Sequence, residues 1–374
     1  MSLRILILTD PIGKPSFAPR LRYLCQFLAA EGHEIAVYTE QFQEYDFPHT
    51  YPIYEKALTH HTTWQWALQS LWSLLTDWRN RKFSNWVYEQ VKEQSFDLVF
   101  CTTFSTFPLR AACEVAQKKQ IPLFVDIRDL DEQVPGAQYQ SHRQWWAKPF
   151  SKWYQRTNIR RRNRILQQAD MITTVSPWHV DFIKAYNPNT HLIYNGFDPS
   201  QFYPENQMSK QFLITYIGKL YAFQSLQLVE QAIRELHNPD IQLNLHTTEQ
   251  NPIAIHQVGD EIRRSSIALV LTNPQSKGMM TTKFFEALGC EKPVLCTPSD
   301  NGLLAQTIRN THAGLASSDI EEIKAFILDK YHEWKATGYT HQAVRNKESF
   351  SREKQAEQFE QLFIHCIEQH RCQK

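Results

Sequence analysis

Short continuous apolar runs alternate with stretches of helical periodicity along this chain, and the alternation runs through twice. Residues 4–9, 34–39, 97–102, 123–126, 171–175 and 191–194 read as strands. The segments between them carry apolar residues at helical spacing, as at Leu21, Leu24, Cys25 and Leu28. Strand, helix and strand in regular order make a parallel sheet covered by helices on both faces, and such strands are apolar throughout. The order restarts with strands at 212–217, 241–246, 267–271 and 293–296. An α/β protein of two doubly wound domains in tandem follows. The length of 374 residues agrees, since one hydrophobic core stops growing at roughly 250–300 residues. Residues 195–210 (NGFDPSQFYPENQMSK) are rich in turn formers and read as a linker. Residues 351–369 read as a final helix.

Several functions are excluded early. The net charge is +1, so binding of nucleic acid has no bulk electrostatic support. The seven cysteines include no C-x-x-C pair, which fits buried thiols in a reducing compartment. No window approaches ~20 apolar residues and no signal-peptide core is present, so a cytoplasmic location is expected. No two of the eleven glycines stand two apart, which excludes the glycine fingerprint of a dinucleotide site. Gly13-Lys14-Pro15 and Gly218-Lys219-Leu220 both fail as phosphate loops of the P-loop type, and H-E-x-x-H is absent. Asp129-Leu130-Asp131 matches the D-x-D that holds a metal in another class of sugar transferase. That pattern is short and common, and it reads as chance, so neither a metal nor a cofactor is expected.

The second half holds a constellation. The strand at 212–217 ends in Gly218-Lys219, where ligands of open α/β sheets bind. Further on, Gly278, Met279, Met280, Thr281 and Thr282 lead into a helix at 283–290. Thr281 or Thr282 suits the N-cap, and a helix start offers backbone amides to phosphate. Glu286 lies in the first turns of that helix, where a carboxylate can accept two hydrogen bonds from a ribose diol. A lysine after a strand also reads as a solvated residue, and an early-helix glutamate as a partner of the helix dipole.

These segments resemble the retaining GT-B glycosyltransferases of family 4. Ile193-Tyr194-Asn195-Gly196-Phe197-Asp198, with Phe202 and Pro204, is similar to that family's linker. Tyr216-Ile217-Gly218-Lys219-Leu220 resembles its glycine with a basic residue. Lys283-Phe284-Phe285-Glu286-Ala287-Leu288 resembles its donor-binding helix. The likeness is strongest over 165–220 and 277–316. It implies two Rossmann-like domains facing across a cleft, residues 1–196 with a returning helix at 351–374, and residues 197–350. It further implies that Glu286 holds the ribose and Lys219 the diphosphate. Gly13, Gly218, Gly278, Met279, Met280, Thr281 and Thr282 complete the donor-binding set. Departures are visible. Gly278 stands where the family often has a second glutamate. Phe223-Gln224-Ser225 stands where a second basic residue follows, so one positive charge on the diphosphate is missing or comes from elsewhere. Glu291 replaces the glycine that ends the helix, at a cost of ~1–2 kcal/mol if its backbone turns left-handed.

Acceptor recognition falls to the first half. Val125-Asp126-Ile127-Arg128-Asp129-Leu130 is similar to an "R-D-L" segment of members that build surface polysaccharides. Asp126, Arg128 and Asp129 are the catalytic candidates, orienting an acceptor hydroxyl or the leaving phosphate. An Asp–Arg pair that merely closes the loop is the structural alternative. Residues 145–164 interleave Trp145, Trp146, Phe150, Trp153 and Tyr154 with seven cations, and no acid stands between Lys148 and Arg164. Residues 64–86 carry five tryptophans. Both stretches suit an anionic membrane surface, and equally core packing with a solvated basic face. The implied partners are a nucleotide sugar (UDP- or GDP-), a glycan or lipid-linked acceptor and the inner membrane face. The rival expectation is a non-catalytic relative that binds a sugar nucleotide or a partner enzyme.

Overall fold

The structure is a computed structural model. It describes the chain except residues 1, 13–18, 44–48, 59–62, 105, 134–147, 222–223, 275–277 and 373–374, with the side chains of 63–68, 70 and 148–151 also outside the description. The chain divides into two compact units, Met1–Ile193 with Ala356–Lys374, and Tyr194–Gln355.

The first unit is built on a seven-stranded sheet of β1 (Arg4–Thr9), β2 (Glu34–Thr39), β3 (Ile53–Glu55), β4 (Leu98–Thr103), β5 (Leu123–Ile127), β6 (Met171–Thr174) and β7 (Thr190–Leu192). The order is β3-β2-β1-β4-β5-β6-β7, with every neighbouring pair parallel. Side chains alternate across a strand. Leu6 and Leu8 therefore enter one core with Phe83 and Val87 of α3 (Trp78–Val91) and Ala112 of α4 (Leu109–Lys119). Ile5 and Ile7 enter the other, with Leu24 of α1 (Pro19–Ala30) and with Phe359 and Phe363 of the tail helix α12 (Arg352–Cys372). Phe363 is fully buried, its ring 5.0 Å from Phe100 and 4.9 Å from Phe124. Three further helices are α2 (Thr63–Thr76), α5 (Lys148–Leu166) and α6 (Pro177–Lys184).

The second unit holds five parallel strands, β8 (Phe212–Ile217), β9 (Ile241–His246), β10 (Ile267–Val270), β11 (Val294–Cys296) and β12 (Gly314–Ala316), in the order β12-β11-β10-β8-β9. The order reverses direction between β8 and β10. In open α/β sheets that switch point is where the carboxyl ends of strands leave a crevice for ligands. Along β10, Ala268 and Val270 face the core that contains α9 (Thr282–Gly289) and α10 (Leu303–Thr311). Ile267 and Leu269 face the core of α7 (Gln227–Leu236) and α11 (Ile320–Thr337).

Four strands have the bounds expected from the sequence, and six differ by one or two residues at an end. The two short edge strands, β3 and β12, were not expected. Each has three residues, and its burial is only partial, so neither leaves an apolar run to find. The linker expectation is corrected. Phe197 and Phe202 are buried in the α9 core, Tyr194 stacks obliquely 5.1 Å from Phe350, and the Phe197 N–H donates to the Phe350 carbonyl at 3.0 Å. The unit boundaries consequently fall at 193/194 and 355/356 rather than 196/197 and 350/351. Glu291 does adopt a left-handed φ of 52°. Its carboxylate is held there by Lys347 and faces His341 at 3.5 Å.

The tail helix is thus part of the first unit's core. Phe363→Ala should cost about 3–5 kcal/mol of that unit's stability. Nine of the ten tryptophans lie in the first unit. Denaturant unfolding followed by tryptophan fluorescence should therefore show a lowered midpoint, and an unchanged midpoint would deny the tail its core role.

Candidate functional site

At the second unit's switch point, β8 runs into Gly218, whose φ of 120° is open to glycine and rarely to any other residue. A Cβ at that position would stand 2.8 Å from Cε and 3.1 Å from Nζ of Lys283. The absent side chain therefore lets a lysine from α9 lie across the turn. The turn is tied down by Tyr216 and Gln224. The Tyr216 hydroxyl lies 2.8 Å from the Lys219 carbonyl, which accepts its proton, and 3.2 Å from Gln224 Oε1. Gln224 Oε1 also accepts the Tyr221 N–H at 3.1 Å, while its Nε2 donates to the Leu271 carbonyl at 2.8 Å. Gln224 thereby joins the loop after β8 to the loop after β10, which explains an amide where a second cation was expected.

Lys219 itself is exposed, its Nζ 5.3 Å from the Tyr221 ring centroid. Gly278 takes a left-handed φ of 62° ahead of α9. Met279 is half-buried, and the Met280 side chain is buried in the α9 core, so only its backbone is available to a ligand. Thr281 occupies the N-cap position with extended dihedrals, yet its side chain makes no capping bond. Thr282 opens the helix. In the first turn of α9 the Phe284 N–H donates to the Thr281 carbonyl at 3.2 Å, and the amides before it have no intrahelical partner.

Glu286 is half-buried on α9, and no hydrogen bond or ion pair occupies its carboxylate among the described residues. Burial pushes its pKa up, against the opposing pull of Arg352 and Lys283. Burial likewise lowers the pKa of Lys283, opposed by Glu286. Lys283 was not expected from the sequence. Its spacing of three from Glu286, which puts both on one helix face, was the available signal.

In the first unit the switch point lies between β1 and β4. Asp10 follows β1. Its Oδ1 accepts the Thr103 hydroxyl at 2.6 Å, and its Oδ2 accepts the Phe104 N–H at 3.0 Å and Arg128 Nη2 at 2.5 Å. Burial raises the Asp10 pKa, opposed chiefly by Arg128. Asp126 is buried at 1 % exposure. Its carboxylate accepts Arg20 Nη2 at 3.0 Å and the hydroxyls of Thr173 at 2.9 Å and Thr102 at 2.8 Å. Arg20 is buried too, and it donates to the Ile193 carbonyl at 2.7 Å while standing 4.9 Å over the Phe359 ring. Asp126 therefore braces β5 against β4, β6 and α1, the structural alternative for that residue. Arg128 pairs with Asp10 rather than with Asp126. Asp129 is half-buried, with no hydrogen-bond partner among the described residues. Burial pushes its pKa up to about 6, with Arg128 opposing and Asp10 and Asp131 adding. Among the described residues no group of three or more His, Cys, Asp or Glu is placed to hold a metal ion. Gly13, Trp145 and Trp146 lie outside the described residues.

No curated protein matches the chain by sequence. Residues 19–201 match the family model described as Glycosyltransferase Family 4. The match lies mostly in the first unit, where the residue motifs were the less telling. Similar solved structures span almost the whole of this chain. Sucrose-phosphate synthase from Thermosynechococcus elongatus is 15% identical over 97% of this chain and 98% of that one, with a TM-score of 0.65. Anabaena HepE, solved with UDP-glucose, is 14% identical over 97% and 100%, with a TM-score of 0.65. WaaG, a glycosyltransferase involved in lipopolysaccharide biosynthesis, is 12% identical over 95% and 99%, with a TM-score of 0.60. At these identities the likeness establishes the GT-B fold. No helix among the described residues is long and apolar enough to cross a membrane.

The raised pKa of Asp129 fixes a sign for stability. Protonated Asp129 contributes stability that is complete below its ordinary value of 3.8 and is lost as pH rises through about 6. Asp129→Asn should therefore melt higher than the parent at pH 8, by roughly 1 kcal/mol after allowance for partial exposure. The gain should fade towards pH 4. Equal melting curves across that range would show the carboxylate to be well solvated.

Proposed function

We propose that this glycosyltransferase takes a sugar from a nucleoside diphosphate donor, UDP- or GDP-linked, and gives it to a glycan or lipid-linked acceptor in surface polysaccharide synthesis. One observation carries the donor assignment. Glu286 is a partly desolvated carboxylate with no hydrogen-bond or ion-pair partner among the described residues, on the helix that follows the switch point, one turn from Lys283. Leaving such a group unpaired costs stability unless a ligand completes it. A ribose diol supplies two donors of the right kind. Lys219, the turn at Gly218 and the backbone from Gly278 to Thr282 then face the diphosphate. The family 4 match and a fold shared with HepE, which was solved with UDP-glucose, support the same assignment.

The reaction proposed proceeds with retention. The acceptor oxygen bonds to the anomeric carbon on the face the diphosphate leaves, and the breaking carbon–oxygen pair departs with the diphosphate. The acceptor's proton passes to a departing phosphate oxygen, so no protein nucleophile and no metal ion enters the scheme. The protein's share is positioning and stabilisation of the charge that develops. Arg128 and Asp129 are assigned to orienting the acceptor hydroxyl, and Asp126 to holding their loop through Arg20.

Melting-temperature shifts with UDP, GDP, ADP, CDP and dTDP test the donor. A ligand at a hundred times its Kd adds ~2.7 kcal/mol, several degrees. One diphosphate should stand out, and Glu286→Ala and Lys219→Ala should each weaken it. Silence from all five would favour a non-catalytic relative, as would binding without turnover of the matching sugar nucleotide.

The acceptor's lipid linkage has its own support. Lys152, Arg156, Arg160 and Arg164 recur every four residues along α5, all exposed, and no acid interrupts the helix. The Arg161 guanidinium donates to the Ser73 and Leu74 carbonyls, seating the end of α2 against α5. Leu71, Trp72 and Leu75 of α2 are exposed. Cations beside exposed apolar side chains suit an anionic bilayer surface, each nearby cation contributing ~1 kcal/mol. The protein should sediment with vesicles containing phosphatidylglycerol and stay in solution with neutral ones. Changing the four cations to glutamine should abolish the difference.

A further inference from the structure

From the position of Lys283 we infer that its ammonium is the second cation of the diphosphate site, in place of the basic residue that Gln224 does not supply. The inference deepens the donor assignment above and rests on it for the nucleotide alone.

Lys283 is the second residue of α9, where the helix dipole favours an anion and disfavours a cation. Its Nζ lies 5.3 Å from the Tyr216 ring centroid and against the Gly218 turn. Among the described residues no carboxylate stands within ion-pair distance of it, although the chain pairs many other lysines, as Lys324 with Glu235 and Lys335 with Asp240. Burial lowers its pKa, so the charge is held at a cost. A lysine that is partly desolvated, unpaired and at the unfavourable end of a helix is poorly explained by stability. An anion between Lys283 and Lys219 would reverse each of those penalties. The two cations flank Gly218, one following it in sequence and one crossing it in space. A diphosphate offers two adjacent anionic groups to such a pair, and the amides of Thr282 and Lys283, which lack an intrahelical partner, add donors. Glu286, one turn further along the same face, disfavours phosphate at its own position and so separates the ribose end from the diphosphate end.

Inorganic pyrophosphate titrated calorimetrically into the full chain tests this without assuming a nucleotide. The parent should bind it. Lys283→Met should bind about tenfold or more weakly, the loss typical of one charge-assisted contact. Lys283→Arg should stay close to the parent, because it keeps the charge. Lys283→Met should melt no lower than the parent, since it removes an unpaired charge, so weaker binding cannot be put down to unfolding. Parent-like binding by Lys283→Met would overturn the inference, and so would a parent that does not bind pyrophosphate. If pyrophosphate binds through Lys283 while no nucleoside diphosphate binds more tightly, the inference stands and the donor assignment falls.

Discussion

A parallel sheet must be covered on both faces, and that requirement shapes the path of this chain. The first unit has one face filled by α3 and α4. The other is closed only when the tail returns and sets Phe359 and Phe363 against Phe100 and Phe124. The return obliges the chain to pass from one unit to the other twice, at 193/194 and at 355/356. Both passages lie beside a stretch in which residues 197 and 350–352 are bonded backbone to backbone. Burial of a few aromatic rings thus decides where the second unit begins and ends.

The two switch points are furnished in opposite ways. In the first unit the charges are mutually satisfied: Asp10 with Arg128, Asp126 with Arg20, each carboxylate also bonded to hydroxyls or backbone. Paired buried charges of this kind hold a loop in one shape, and breaking one partner leaves the other exposed to the full cost of desolvation. Asp129 is the exception. In the second unit Lys283 and Glu286 have no ion-pair partner among the described residues, while uncharged groups, Tyr216 and Gln224, fix the turn. Sites that bind or react commonly keep charges that folding alone would not retain.

Much of this was legible beforehand. A buried parallel strand is an unbroken apolar run, so β1, β2 and β8 can be bounded from residue types alone, while the edge strand β9 shows instead the alternation of Ile241, Leu243 and Leu245. Glu286 and the Gly218 turn were legible because strand ends and helix starts are local features. The roles of Asp126 and Lys283 were not. Asp126 stands in an "R-D-L" segment that reads as reactive, yet it is closed off by Arg20, which lies 106 residues away. Lys283 reads as an ordinary helical lysine until Gly218, 65 positions earlier, is seen to leave room for it. The linker composition at 195–210 misled in the same way, since Phe197 and Phe202 find their cover in α9.

The sequence by itself determined the alternation of strand and helix, the two sheets, the returning helix and the glycine turn that ends β8. Each depends on residues close together in the chain, where periodicity and backbone preference act. Only the tertiary structure decided which charges are paired within the fold and which, among the described residues, are left unpaired. That distinction turns on desolvation and on partners drawn from distant segments, and no local pattern encodes either.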